Sequence, residues 1–337
     1  MDAYEVREAT PEYEGVVRTE RERPEPGPGE ALVRVRACSL NYRDLAIANS
    51  ELAYPGARLP VVPLSDGAGD VVGVGEGVDR LSEGDRVATP FAPDWVDGRL
   101  TREKTARTTG GNVDGALAEY AVFPAESLPL LPEYLSYEGG ASLSCAGLTA
   151  WRALVEDGDL RAGETVLALG TGGVSTFALQ FARTFGAEVI VTSSSAEKRE
   201  RAEELGAAAT LDYEETPEWG EAVRELGGAD HVIEVGGAGT LEQSLAAATV
   251  GGHVHLIGVL AGQGGEVDPA PALGKALTVE GVLGVGSRAM FDRMLRAMAV
   301  EELEPVVDRT FGFDEAREAY RYVEAGEHQG KVVVRVD

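Results

Sequence analysis

The sequence predicts a two-domain α/β chain in which a small β-rich domain precedes a doubly wound parallel sheet. Three observations carry this. Between Glu30 and Pro124 the segments ALVRVRA, GDVVGVG, GDRVAT and ALAEYAVF alternate apolar and polar residues between turns, the period of strands with one buried face. From Glu164 onward TVLAL, EVIVT, ATLDY, DHVIEV and HVHLIGV are separated by helical patterns of 10 to 15 residues, an alternation that yields parallel strands joined by crossover helices. Finally, TVLAL (Thr165 to Leu169) runs straight into Gly170-Thr171-Gly172-Gly173-Val174-Ser175. A buried strand that empties into a glycine turn and then a helix sets backbone N–H groups and a helix N-terminus against a pyrophosphate.

A chain of 337 residues with 44% apolar content is long enough for two packed domains. Its start, MDAYEVREATPEYEG, lacks the basic and apolar blocks of a secretory signal, and no apolar run reaches membrane-spanning length; the expectation is a cytoplasmic protein. After Pro132 the period turns helical. The first crossover helix sets Val174, Phe177, Ala178, Phe181, Ala182 and Phe185 on one stripe and stops at Gly186, and a second, Glu197 to Leu205, stops at Gly206. A helix from Arg288 to about Val300 is followed by PVVDRTF, a helix near Asp314 to Glu324, and KVVVRV, a tail expected to return to the first domain. The expected division is 1–128 completed by 304–337, with 129–303 as the dinucleotide domain.

Charge separates this chain from many classes. It carries 57 acidic against 30 basic residues, a formal net charge of −27, and its lysines are Lys104, Lys198, Lys275 and Lys331 alone. Such self-repulsion opposes compactness in dilute buffer and is screened at molar salt, where the Debye length falls to about 3 Å. The balance points to a halophilic cytoplasm and argues against nucleic acid or an anionic membrane as partner. Two cysteines, Cys38 and Cys145, are too few for a disulfide scaffold or a four-thiolate zinc site.

Beyond the second strand, where an NAD-specific site offers a carboxylate to the ribose hydroxyls, the chain reads Thr192-Ser193-Ser194-Ser195, then Lys198 and Arg199. Hydroxyls and an ammonium suit a 2′-phosphate, so NADP(H) is the expected cofactor, held there by Ser193, Ser194 and Lys198. A plain serine-rich helix cap, under which NAD binds equally well, is the other reading. Gly170, Gly172 and Gly173 form the pyrophosphate turn, Val174 opens the helix, and Ser175 stands where the fingerprint has its third glycine.

With VRACSLNYRDL (Val35 to Leu45), PVVPLSDGAGDVVGVGEGV (Pro60 to Val78), GDRV (Gly84 to Val87), GALAEYAV (Gly115 to Val122) and CAGLTAW (Cys145 to Trp151) in this order around GTGGVS, the chain resembles the medium-chain dehydrogenase/reductase superfamily from about Glu30 to Val336. The resemblance implies a GroES-like β-rich catalytic domain and a Rossmann domain. It also implies cofactor contacts at Gly236, in the segment Glu234 to Gly237 after the fourth strand, and at Ile257 and Val259 after the fifth.

Zinc-dependent members hold a catalytic metal with a Cys, a His and a second Cys, with a Glu beside the His. The matching positions here read Asn41, Ser65 and Cys145, with Asp66 in the acidic place, and the lobe that carries four cysteines in zinc-stabilised members has none. One thiolate does not hold a zinc that needs three protein ligands, so both metals are expected to be absent and the chain looks like the zinc-independent, quinone oxidoreductase-like branch. Without a Lewis acid, conjugated acceptors are favoured, because an enolate or quinol spreads the developing charge. The expected function is NADPH-dependent reduction of a quinone, enone or related carbonyl. The alternatives are an NAD(P)-dependent alcohol dehydrogenase and a non-catalytic NADPH-binding protein.

Asn41 and Tyr42 stand where zinc-free relatives place residues around nicotinamide and substrate, Ser65 takes the vacated histidine position, and Tyr54 resembles the proton-donating tyrosine of enoyl reductases. A loop-capping role for Tyr54 weighs equally. Arg43 and Asp44 are candidates for an orienting pair, with a solvated or structural Arg43 as the plainer reading, and Trp95 for a cleft wall or for loop packing. Cys145 reads as a packed small residue rather than a redox thiol. His253 and His255 form an H-x-H on one strand face that lacks a third ligand in sequence, and His231 and His328 show no partner. By resemblance, LTVEGVLGVGSR (Leu277 to Arg288) is an edge strand through which relatives form a two-fold dimer, so a homodimer is the default.

Overall fold

The computed structural model describes residues 1–52, 54–283 and 285–336; Ala53 of the AYPG segment and Gly284 of LTVEGVLGVGSR lie outside the described residues. The chain divides into two compact units, Met1–Leu148 with Gly284–Asp337, and Thr149–Leu283.

In the first unit β1 (Asp2–Val6) and β2 (Val16–Glu20) form an antiparallel pair. The main sheet is built on β3 (Glu30–Ser39), flanked by β4 (Asp66–Val74) and β6 (Tyr120–Pro124), with β5 (Arg86–Ala88) beyond β4. Glycine is required where β3 and β4 meet: a Cβ on Gly69 would lie 2.0 Å from the Arg34 carbonyl oxygen, a collision no rotamer relieves.

The second unit is one parallel sheet in the order β12 (Thr278–Gly281), β11 (Ala248–Leu256), β10 (Ala229–Glu234), β7 (Thr165–Leu169), β8 (Glu188–Thr192), β9 (Ala209–Leu211). Chain order reverses between β7 and β10, which makes their carboxyl ends the switch point where ligands settle. β7 and β10 are central, and Val166, Leu167, Ala168, Val232 and Ile233 are inaccessible to solvent. The crossover helix Gly173–Thr184 buries Phe177, Ala178, Phe181 and Ala182, and the left-handed Gly186 (φ 76°) follows its last turn. The helix Ala196–Glu204 is followed in the same way by Gly206 (φ 98°).

The tail returns to the first unit as expected. β13 (Val307–Gly312) pairs with β14 (Lys331–Arg335), which lies antiparallel on β3 with Val334 opposite Cys38. Their aliphatic faces join Tyr13, Leu45, Leu64, Leu117 and Tyr320 in one core. This unit reaches further along the chain than 1–128 and 304–337. The helix Tyr137–Ala141 packs against its sheet, with no room for a Cβ on Gly140 beside Leu131, and the helix Arg288–Glu301 starts with two backbone bonds to Trp95 and Val96. No helix among the described residues is long and apolar enough to cross a membrane.

Candidate active site

In the second unit the glycine turn has the form a pyrophosphate needs. Gly170 is left-handed (φ 70°), and a Cβ on Gly170 or Gly172 would meet nothing within 4 Å, so the turn faces open space. The first bond of the helix runs from Thr176 N to Gly172 O, leaving the preceding N–H groups without intrahelical partners. Ser175 stands in place of the third glycine, buried, with its hydroxyl donating to Leu169 O at 2.6 Å.

After β8, Ser193 is buried, Ser194 Oγ lies 3.1 Å from the Tyr213 hydroxyl, and Ser195 caps the next helix by accepting from Lys198 N at 3.3 Å. The capping serine is thus Ser195, not Ser193 or Ser194. Arg199 is committed elsewhere: Nη1 donates to Ser193 O and to Asp212 Oδ2, both at 2.6 Å. After β10 the buried Glu234 carboxylate shapes the loop. Its Oε1 accepts from Gly236 N (2.6 Å), Gly237 N (2.9 Å) and Thr240 Oγ1 (2.6 Å), and Ser244 Oγ donates to its other oxygen. A Cβ on Gly236 would meet Thr240 Oγ1 at 2.2 Å. This loop bonds to the one after β11 through Leu260 N to Val235 O and Ala261 N to Gly236 O, and brings half-buried Ile257 and exposed Val259 to the carboxyl edge of the sheet.

In the first unit the positions that match the zinc ligands gather around two buried charges. Asp66 is fully buried; its Oδ1 accepts from Ser65 Oγ at 2.6 Å and its Oδ2 from Cys145 N at 3.1 Å. Lys331, 2% exposed, reaches in from β14 and sets Nζ 3.7 Å from Asp66 Oδ2, 2.7 Å from Leu40 O and 2.5 Å from Asn41 Oδ1. Asn41 precedes the helix Tyr42–Ala48, where its N donates to Asp44 Oδ2 at 2.8 Å, while its Nδ2 is buried without a partner. Burial and the Asp66 charge push the Cys145 thiol well up, so it stays protonated. Burial also raises Asp44, to about 6.

Arg43 is neither solvated nor exposed. It is 8% accessible, donates to Thr109 O at 2.8 Å, and lies over the rings of Phe91 (4.6 Å) and Tyr54 (5.2 Å), with Asp44 at 3.8 Å. Tyr42 is 45% exposed at the helix start. Trp95 is loop packing: it is buried, and Nε1 donates to Gly98 O at 2.8 Å.

This donor set does not fit a tetrahedral zinc. Asn41 Oδ1 is occupied by an ammonium, Ser65 donates to a carboxylate, Cys145 is held as a thiol, and a cation already faces Asp66. Sequence reasoning missed Lys331. Its only signal was a lysine inside an aliphatic strand, KVVVRV, of a chain that otherwise nearly dispenses with lysine.

The histidines also differ from expectation. His253 and His255 do share one sheet face, but β12 places Glu280 opposite His255 in register, with His255 Nδ1 3.0 Å from Glu280 Oε1. His231 is not isolated either: Nδ1 lies 3.2 Å from His255 Nε2 and Nε2 lies 3.2 Å from Glu164 Oε2. Burial holds His255 neutral, its pKa brought down to about 3.

A pyrophosphate turn at the switch point of a six-stranded parallel sheet, in a chain whose other unit is a β fold closed by its own C-terminal strand, defines a nicotinamide-dependent oxidoreductase. Residues 27–133 match the family model described as alcohol dehydrogenase GroES-like domain, and residues 173–300 the one described as zinc-binding dehydrogenase. The chain belongs to the medium-chain dehydrogenase/reductase superfamily. It is 44% identical over 319 residues, 92% of each chain, to the zinc-type alcohol dehydrogenase-like protein C1773.06c of Schizosaccharomyces pombe. Among solved structures it resembles an NAD-dependent alcohol dehydrogenase (33% identity, all of both chains, TM-score 0.90). It also resembles the crotonyl-CoA carboxylase/reductase AntE in complex with NADP (26% identity, 100% of this chain and 94% of that one, TM-score 0.88).

Proposed function

We propose that this oxidoreductase is zinc-independent and reduces a quinone, an enone or a related conjugated carbonyl with NADPH. The observation that carries the reading is the Lys331 ammonium held on Asn41 and Asp66, a fixed positive charge at the positions that match a metal site. Hydrogen-bond donors then meet the charge that develops on the acceptor oxygen. They supply less than a Lewis acid does, and acceptors that delocalise the charge ask least of them. Crotonyl-CoA, in the name of one structural relative, is such an acceptor.

When bound, NADPH supplies the hydride. The chain's own residues hold and orient: Gly170, Gly172, Gly173 and Val174 take the pyrophosphate, Ser193, Ser194 and Lys198 the 2′-phosphate, and Gly236, Ile257 and Val259 the adenosine and nicotinamide sides. Asn41 and Tyr42 border the substrate, Ser65 positions Asp66, and the Tyr54 phenol delivers the proton. Replacing Tyr54 by Phe is expected to lower kcat by about 100-fold with KM nearly unchanged. An unchanged kcat would hand protonation to water.

The reading is tested by NADPH consumption in molar KCl, with chelator present, across quinones, enones, aldehydes and alcohols. Turnover of conjugated acceptors in chelator supports it, and loss of activity in chelator contradicts it. Alcohol oxidation alone would favour the second reading, an NAD(P)-dependent alcohol dehydrogenase, which the names of the relatives support.

We further read the chain as a salt-adapted cytoplasmic homodimer joined along the β12 edge. Asp44, Asp66 and Glu234 are its fully buried carboxylates among the described residues, so the charge of −27 sits almost wholly at the surface. Raising KCl from 0.1 to 1 M shortens the Debye length from about 10 to about 3 Å, and the thermal midpoint is expected to rise by roughly 10 °C. A midpoint indifferent to salt would remove the halophilic reading.

A further inference from the structure

The histidine cluster on the second unit's sheet shares no residue with the dinucleotide turn or with the Lys331 cluster, and neither accounts for it. β10, β11 and β12 each contribute to one sheet face: His231 pairs in register with His253, and His255 with Glu280. The three imidazoles stack with interplanar angles of 3° to 20°. His231 Nε2 meets Glu164 Oε2 and His231 Nδ1 meets His255 Nε2, each at 3.2 Å. A neutral imidazole has a single N–H, so in the tautomer in which Glu164 accepts, His231 Nδ1 accepts from His255 Nε2.

His255 Nδ1 is then a bare lone pair, 3.0 Å from the Glu280 Oε1 it faces. In that tautomer two acceptor atoms face one another. Neither atom has a hydrogen-bond partner, and His253 Nδ1, also buried, has none. One ligand atom from each of His253, His255 and Glu280 lies within 4.8 Å of the other two. These are the three residues that own the unpartnered atoms. Charge around them is negative: Asp157 lies within electrostatic reach of Glu280, and Glu164 and Asp230 of His231, against Arg152.

We propose that His253, His255 and Glu280 bind a divalent transition metal, Zn²⁺ in the first instance, that staples the edge strand β12 to β11. Two imidazoles and a carboxylate select zinc over the hard cations calcium and magnesium. Bonds of about 2.0–2.2 Å set ligand atoms about 3.4 Å apart, within side-chain rotation of the observed spacing. Glu164 through His231 then orients His255 from behind, as carboxylate–histidine pairs do behind metal ligands. β12 is four residues long and mostly exposed in the single chain, so a metal tie to β11 reinforces the short strand pairing it already makes. The site is structural and independent of the hydride chemistry.

The test is Zn²⁺ uptake by chelator-stripped full-length protein in competition with a chromophoric chelator. Expected are one equivalent per chain and a higher thermal midpoint with zinc. His253→Gln and Glu280→Gln are each expected to weaken binding by roughly 100-fold, while Glu280→Gln keeps NADPH binding and turnover. Co²⁺ on the unaltered protein is expected to give a tetrahedral d–d spectrum without thiolate charge transfer, a readout that needs no variant. Three results would each overturn the site: no saturable uptake, uptake indifferent to both substitutions, or a thiolate band that disappears in Cys145→Ala.

Discussion

Lys331→Met is expected to lower the stability of this protein by about 3–5 kcal/mol, the cost of leaving a buried charge without its partner. The ammonium is 2% exposed and is held by Leu40 O, Asn41 Oδ1 and, at 3.7 Å, Asp66. Methionine matches its length and apolar stem and removes only the charge and the donors. Asp66, fully buried, would keep the Ser65 hydroxyl and the Cys145 N–H but lose the one cation placed against it. The thermal midpoint is expected to fall by roughly 10 °C. Adding Asp66→Asn should restore most of the loss, because a neutral pair is far cheaper to bury than a lone carboxylate. A single variant as stable as the parent, or a double variant no better than the single, would show that the two charges are not coupled. A metal-dependent enzyme would behave differently here, since removing a competing ammonium would improve its metal affinity.

With NADPH as the proposed cofactor, Ser194→Asp combined with Lys198→Ala is expected to raise the Kd for NADPH by about 100-fold while NADH binding holds or improves. The carboxylate would face the 2′-phosphate as a like charge and offer the ribose hydroxyls of NADH the acceptor they lack at this strand end. An interaction between ions near a protein surface and the charge-assisted hydrogen bonds it replaces are together worth about 3 kcal/mol, which is the stated ratio. Ser194 is the position to change because Ser195 is occupied as the helix cap and Arg199 is tied to Asp212. Equal effects on both cofactors, read by fluorescence titration, would place the 2′-phosphate elsewhere.

Local signals wrote most of the second unit in the sequence. The strand-to-glycine transition at Leu169 and Gly170, the stripe from Val174 to Phe185, and the stops at Gly186 and Gly206 all depend on residues within one or two turns of each other, and the structure has them where the periodicity put them. The returning tail was legible as an aliphatic run. The extent of the first unit was not, because whether the helices at Tyr137 and Arg288 join one unit or the other depends on what they pack against, and their periodicity is the same either way.

The candidate site divides along the same line. Asn41, Ser65, Asp66 and Cys145 could be aligned by motif, and their mismatch with a zinc ligand set needs only side-chain chemistry. Lys331 could not be found that way: it lies nearly 300 residues from Asn41 in sequence, and an antiparallel pairing of β14 with β3 is what brings its ammonium onto Asn41 Oδ1. His231 and His328 gave no partner in sequence, yet His231 closes a chain from Glu164 to His255 because β7, β10 and β11 are neighbours. Glu280 joins His255 through strand register alone.

By itself, then, the sequence determined the order of strands and helices, the dinucleotide turn, the acidic surface and the absence of a thiolate set for zinc, all of which follow from residue type and short-range spacing. The tertiary structure decided which charges are buried together. Lys331 with Asp66, Arg43 over Phe91, and the three histidines with Glu280 are meetings of strands and loops far apart in the chain. Burial there raises the energy of any unpaired charge or lone pair, so partners must be supplied by the fold, and periodicity carries no record of them.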